Sequence, residues 1–141
     1  MLTVLGFAPF YLFPVPIITL ALLFGFCRSS TTPLKAALMA FGFGIGLFSA
    51  GVTWIYVSLH DFGAMPMPLA VTALIILCAY LAIFPALSVW ILAKLRLTSS
   101  ISWALVAAAL WMLFEWLRGS LFTGFPWLAL GYSQAPYSPL A

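Results

Sequence analysis

Acidic residues are nearly missing from this chain. Among its 141 residues the only carboxylates are Asp61 and Glu115, beside five Lys and Arg and a single histidine, His60. Charged residues make up 5% of the sequence, against about 25% in an average soluble domain. A water-soluble fold needs a polar skin, and this composition cannot supply one. A disordered segment is excluded as well, because it needs low hydrophobicity and high net charge. The net charge of +3 is spread without cluster or stripe, so no nucleic-acid partner is expected. The two cysteines, Cys27 and Cys78, sit inside apolar runs and fit neither a metal-ligand pattern nor a disulfide framework. Both read as small buried hydrophobes. No metal site and no cofactor is implied.

What is present is apolar: 66% of residues are hydrophobic and the mean hydropathy is +1.24. The expected fold class is all-α, a polytopic transmembrane helix bundle. A helix rises about 1.5 Å per residue, so roughly 20 apolar residues cross a hydrocarbon core of about 30 Å. Uncharged runs from Ala36 to Leu59 and from Leu69 to Ala93 have that length, and place spans near 34–59 and 67–95. The run from Leu97 to Phe114 is shorter and opens on Thr98, Ser99 and Ser100. Continued through Glu115 to Leu117 it still crosses, near 101–117. The N-terminal stretch carries no charge before Arg28 but is broken by Pro9, Pro14 and Pro16. Residues 1–13 read as a partial span, the end of a helix that starts earlier. Residues 14–26 read as a short, tilted span with Pro14 and Pro16 in its first turn, where proline is tolerated. Met1 opens no signal peptide, since no basic leader and no small-residue cleavage site accompany it. The chain reads as one membrane domain.

Arg28 and Lys35 flank one loop, Lys94 and Arg96 flank another, and the loop from His60 to Met65 has neither Lys nor Arg. The positive-inside rule then puts the two basic loops in the cytoplasm. The His60–Met65 loop and everything after Leu117 fall outside, with Arg118 the one basic residue there.

Small residues crowd the second span. Gly42 and Gly46 form a G-x-x-x-G pair that Ala50 extends, a pattern that lets helix backbones approach closely. It fits packing within the bundle, or a homodimer face. Trp54, Tyr56, Trp103, Trp111, Trp116 and Trp127 fall mainly near predicted span ends and read as interfacial anchors.

Candidate chemistry is sparse. His60 and Asp61 are adjacent in the outer loop, and a His–Asp pair can orient a general base. Neighbours in sequence rarely face each other, however, and no nucleophile stands at a suitable spacing. Trp111, Glu115 and Arg118 share one helix face, so the two charges can pair. Ionisable groups near membrane depth are costly and point to a role with a named partner. Here that role is either a structural ion pair pinning the helix end or contact with a substrate. Residues 118–135 follow, aromatic yet interrupted by Gly119, Gly124, Pro126 and Gly131. Roughly 12 residues between breakers suit a re-entrant or interfacial segment on the outer face better than another span. With Phe125, Trp127 and Tyr132 it could line an entry for lipid chains, or simply anchor.

Four stretches carry a resemblance. Trp54-Ile-Tyr-Val-Ser-Leu-His-Asp-Phe-Gly63, Ala79-Tyr-Leu-Ala82, Phe114-Glu-Trp-Leu-Arg-Gly119 and Leu121-Phe-Thr-Gly-Phe-Pro-Trp-Leu-Ala-Leu-Gly-Tyr-Ser-Gln134 resemble, in this order, the apolipoprotein N-acyltransferases of bacterial inner membranes. The last stretch is the most specific, and the resemblance runs from about Gly6 to Ala141. It implies a multi-pass inner-membrane protein with a periplasmic functional face. Its partners would be a phospholipid acyl donor and a lipid-modified apolipoprotein acceptor. The acyl chain goes to the α-amino group of an N-terminal diacylglyceryl-cysteine, which completes lipoprotein maturation. In that family the chemistry belongs to a nitrilase-like domain with a Glu-Lys-Cys triad and a cysteine thioester. Here the only Glu is Glu115, the lysines are Lys35 and Lys94 at the cytoplasmic edges, and the cysteines lie in spans. The triad is therefore expected elsewhere than in this chain, which reads as the N-terminal membrane part of such an enzyme, inactive alone. By position Trp127, Phe125, Pro126, Arg118 and Glu115 match the family's outer loop and the helix end leading into it. They are the expected substrate-lining residues, and none is expected to be catalytic. A different class stays open: a small membrane-embedded subunit or transporter-like bundle acting through the Gly42/Gly46 face. A lipid-binding module without catalysis is a third reading.

Overall fold

The computed structural model describes residues 2–135, without the side chain of Thr123. Among those residues every regular element is helical, as expected for an all-α bundle. A 3-10 turn over Leu2–Gly6 precedes α1 (Pro14–Arg28), α2 (Pro33–Gly51), the single turn α3 (Trp54–Val57), α4 (Met67–Lys94), α5 (Ser100–Ser120) and the short α6 (Leu130–Gln134).

Three of these helices, α2, α4 and α5, are long and apolar enough to cross a membrane. Their starts are written in side chains. Thr32 caps α2 by accepting the Lys35 amide at 3.3 Å, with Pro33 following in the first turn. Ser99 caps α5 by accepting the Ser102 amide at 3.4 Å. Pro85 lies within α4 without ending it; having no N–H, it leaves the Leu81 carbonyl without its helical donor, a loss that membrane helices tolerate. Ser88 Oγ donates to the Pro85 carbonyl at 2.9 Å.

Packing centres on α2 against α4, with α1 and α5 on the flanks. One buried cluster joins Leu47, Phe48, Val52, Cys78 and Leu81, and a second joins Leu23, Cys27, Ala36, Ala40 and Val89. Both cysteines are thus buried and free. The closest helix approach is at Gly44, where a β-carbon would stand 2.9 Å from Ala82 Cα and 3.0 Å from the Pro85 ring. Gly42 faces open space instead. Of the small residues that crowd this helix, among them Gly42, Gly44, Gly46, Ala50 and Gly51, it is Gly44 that meets α4. α5 buries least, leaving Ile101, Leu105, Met112 and Trp116 exposed along one stripe, a surface that only lipid or another apolar element can cover.

Several expectations are corrected. Within residues 2–13 the chain is not the end of an α-helix, the one regular element there being the 3-10 turn Leu2–Gly6. The short 3-10 turn folds onto α1, with the buried Thr3 hydroxyl donating to Thr19 Oγ1 at 2.9 Å and Gly6 seated against Pro16. The run 34–59 is not one helix. α2 stops at Gly51, Val52 leaves the helical region (φ −119°), and the chain restarts at Trp54. Trp111 is no interfacial anchor either. It meets Phe24 and Phe43 edge-on, at 5.7 Å and 6.3 Å between ring centroids.

The loops sort to two ends of the bundle. Arg28, Lys35, Lys94 and the start of α5 share one end, where Arg28 Nη2 donates to Ser100 Oγ at 2.9 Å. Gly51, Met67, the end of α5 and residues 121–135 share the other.

Candidate functional site

The last two turns of α5 carry both charges of the candidate site, and both turn toward the backbone of the segment that follows. Arg118 is 2% exposed. Its Nη1 donates to the Phe125 carbonyl at 2.8 Å and to the Trp127 carbonyl at 2.7 Å. Its guanidinium carbon lies 5.2 Å from the Phe48 ring centroid, so the cation is enclosed between an aromatic face and two carbonyl oxygens. Glu115 Oε1 lies 4.0 Å from Arg118 Nη2 and accepts the Leu130 amide at 3.0 Å, at the first residue of α6. The pair expected from spacing is therefore present, and its remaining valences hold the two ends of the Phe125–Leu130 segment.

Backbone geometry completes the clamp. The Phe125 amide donates to the Arg118 carbonyl at 3.0 Å, closing the segment against the helix from which it departs. Gly124 makes that closure possible at φ +77°, and a β-carbon there would collide with the Gly119 carbonyl. No other residue type fits this position without moving the helix end. Leu128 then drives its side chain, 6% exposed, into the cluster of Leu47, Phe48 and Val52. It fits against Gly51, where a side chain would take its place.

With Leu128 buried and both flanking carbonyls held from below, Trp127 is pushed outward. It is 53% exposed and rests against Trp54, with centroids 5.6 Å apart. Trp127 and Pro126 form one wall of a cavity of about 630 Å³ at this end of the bundle. The opposite wall is the N-terminal segment, with Phe7, Phe10 and Tyr11, and Tyr132 closes one side. Volume and lining lie in the range of sites that enclose most of a small apolar ligand.

Of the five residues expected to line a substrate path, Trp127 and Pro126 line this cavity. Phe125, Arg118 and Glu115 do not; they stand behind it, Arg118 and Glu115 as the support of the loop. Phe10, Tyr11, Trp54 and Leu128 were missed as parts of the site, whereas Tyr132 was expected to line a lipid entry and does line the cavity. Only Tyr132 carried a signal, its place in the aromatic outer segment. His60 is placed apart, with Nδ1 2.8 Å from the Met65 carbonyl and its ring 5.3 Å from Tyr56. That is a closed local turn rather than a poised base. Among the described residues no group of His, Cys, Asp or Glu could hold a metal ion.

The family model described as "Apolipoprotein N-acyltransferase N-terminal domain" matches residues 1–141. A protein of Nitrosomonas europaea named apolipoprotein N-acyltransferase is 67% identical over 139 residues, covering 99% of this chain and 28% of that protein. Proteins of the same name from Vibrio parahaemolyticus and Methylococcus capsulatus are each 44% identical, covering 99% and 92% of this chain. This chain spans 27% and 26% of their lengths, little more than a quarter of the curated relatives it matches.

Proposed function

The chain belongs to the apolipoprotein N-acyltransferase N-terminal domain family, and from that premise we propose that it is the membrane part of an enzyme that moves an acyl chain from a phospholipid to the α-amino group of a diacylglyceryl-cysteine. In this reading the bundle anchors the enzyme in a bacterial inner membrane, with residues 118–135 on the periplasmic face. The cavity beside Trp127 receives lipid acyl chain on its way to the reacting atoms. The observation that carries the reading is the cavity of about 630 Å³ walled by Trp127, Pro126 and the N-terminal aromatics, held open by a buried ion pair.

The chemistry itself is assigned to the rest of the full-length protein. Glu115 supports the outer loop, while Lys35 and Lys94 lie at the far end of the bundle and Cys27 and Cys78 are buried. These residues stand apart from one another, and in this reading the acyl-transfer step belongs to another part of the full-length protein. The alternative, a packing subunit acting through the Gly42/Gly46 face, has only the open space beside Gly42 in its favour, since the close contact of α2 within the chain is made at Gly44.

The test is a chimera in which this chain replaces the matching 139 residues of the Nitrosomonas europaea protein. Trp127→Ala in that chimera is expected to slow acyl transfer about tenfold or more at unchanged protein level. Equal losses in activity and level would make Trp127 a structural residue and remove it from the substrate path.

A further inference from the structure

The basic end of the bundle holds Arg28, Lys35, Lys94 and Arg96, all exposed. Among the described residues the one ion pair is Glu115 with Arg118, at the opposite end. None of the four cations has a carboxylate partner among the described residues. Three are already oriented: Lys94 Nζ lies 3.8 Å from the Trp90 ring centroid, Arg28 is tied to Ser100 and lies 5.3 Å from the Trp103 ring centroid, and Lys35 Nζ donates to Thr31 Oγ1 at 3.2 Å. Between Arg28 and Lys35 runs Ser29-Ser-Thr-Thr32, four consecutive hydroxyls on the α1–α2 loop.

An apolar groove of about 460 Å³ lies between α1 and α2 and leads to this loop. Thr19, Leu22, Leu23 and Phe26 line it from α1, and Met39 and Phe43 from α2. Thr19 to Phe26 covers about 10 Å of helix. The groove meets the loop directly, because Ser29 and Ser30 both donate to the Phe26 carbonyl, and Ser30 Oγ lies 3.4 Å from Met39 Sδ. Leu22, Phe26 and Met39 are 54%, 61% and 47% exposed.

We propose that this is a binding site for an anionic phospholipid, one acyl chain lying in the α1–α2 groove and the phosphate resting on the 29–32 loop between Arg28 and Lys35. The charge complementarity selects the occupant. A zwitterionic lipid brings its own cation to the same place, whereas an anionic one brings none. The phosphate end of the site lies at the opposite end from the Trp127 cavity, the groove reaching back to Leu2 and Thr3 of the N-terminal turn, and the site does not depend on the acyl-transfer reading.

Native mass spectrometry of the full chain in neutral detergent tests it, with equimolar dioleoylphosphatidylglycerol and dioleoylphosphatidylcholine as probes. The expected result is a preference of about fivefold or more for phosphatidylglycerol, reduced about fivefold by Lys35→Gln and kept by Lys35→Arg. Met39→Trp, which fills the groove, is expected to lower retention of both lipids, with helix content checked by circular dichroism. Equal retention of the two lipids by the unaltered chain overturns the proposal. So does a preference that survives the combined Arg28→Gln and Lys35→Gln change. If millimolar inorganic phosphate displaces the lipid while Met39→Trp has no effect, the loop is a free-anion site and the lipid assignment fails.

Discussion

Replacing Arg118 by methionine should release the outer loop while leaving the bundle intact. The change removes two charge-assisted hydrogen bonds, to the carbonyls of Phe125 and Trp127, and leaves Glu115 without its counter-ion. A hydrogen bond to a charged group is worth about 1.5–3 kcal/mol, and breaking a buried charge pair by deleting one partner costs about 3–5 kcal/mol. The two figures describe overlapping losses and do not add. Glu115 is 22% exposed, so water relieves part of its isolation and the lower value, about 3 kcal/mol, is the appropriate one. Methionine keeps most of the apolar contact with Phe48, so little of this is lost packing. The cost falls on closing the loop, which makes the amides of Phe125 and Leu130 the reporters, since they donate to the Arg118 carbonyl and to Glu115. Their hydrogen exchange in nanodiscs should accelerate by about two orders of magnitude, at 1.4 kcal/mol per factor of ten. Amides of α4 should keep their rates. Arg118→Lys should recover only part of the protection, because one ammonium can replace the Nη1 that serves both carbonyls but not also the Nη2 that faces Glu115. Loop exchange faster by less than tenfold would refute the clamp. Equal acceleration throughout α2 and α4 would show instead that Arg118 holds the whole bundle.

Two other predictions address packing and orientation. Gly44→Val should lower the melting temperature of the chain in detergent, because its β-carbon meets Ala82 at 2.9 Å and overpacking costs about 1–3 kcal/mol. Gly42→Val, facing open space, is the matched control, and equal shifts would remove Gly44 from the helix contact. Topology reporters fused after Met65 and after Gln134 should both report the side opposite to one fused after Arg96. A reporter after Met65 on the same side as Arg96 would overturn the orientation drawn from the basic loops.

The long helices were legible because hydropathy and length alone decide whether a run can cross a bilayer. The break after Gly51 was not, since Val52 and Trp54 are as apolar as the residues around them and hydropathy does not register a turn. Residues 1–13 were misread for a related reason. Their fold depends on Thr3 meeting Thr19 and Gly6 meeting Pro16, and such contacts between segments leave no periodic trace. At the candidate site the spacing of Glu115 and Arg118 revealed a pair. It did not reveal what the pair holds, because backbone carbonyls and amides are the same in every sequence. Leu128 was invisible as an anchor among so many apolar residues, although its burial is what turns Trp127 outward. The glycines show the limit too: the crowding of small residues on α2 was legible, but which of them makes the contact was not, since Gly44 meets Ala82 while Gly42 faces open space.

The cavity beside Trp127 is proposed to take a lipid acyl chain. Its most direct test is photo-crosslinking of the chain in vesicles containing a phospholipid with a diazirine near the end of one acyl chain, followed by mapping of the labelled residues. Labelling concentrated on Phe10, Pro126, Trp127 and Tyr132, and reduced by Arg118→Met, is the predicted result. Labelling confined to the exposed stripe of Ile101, Leu105 and Met112, with none at Trp127, would contradict the account.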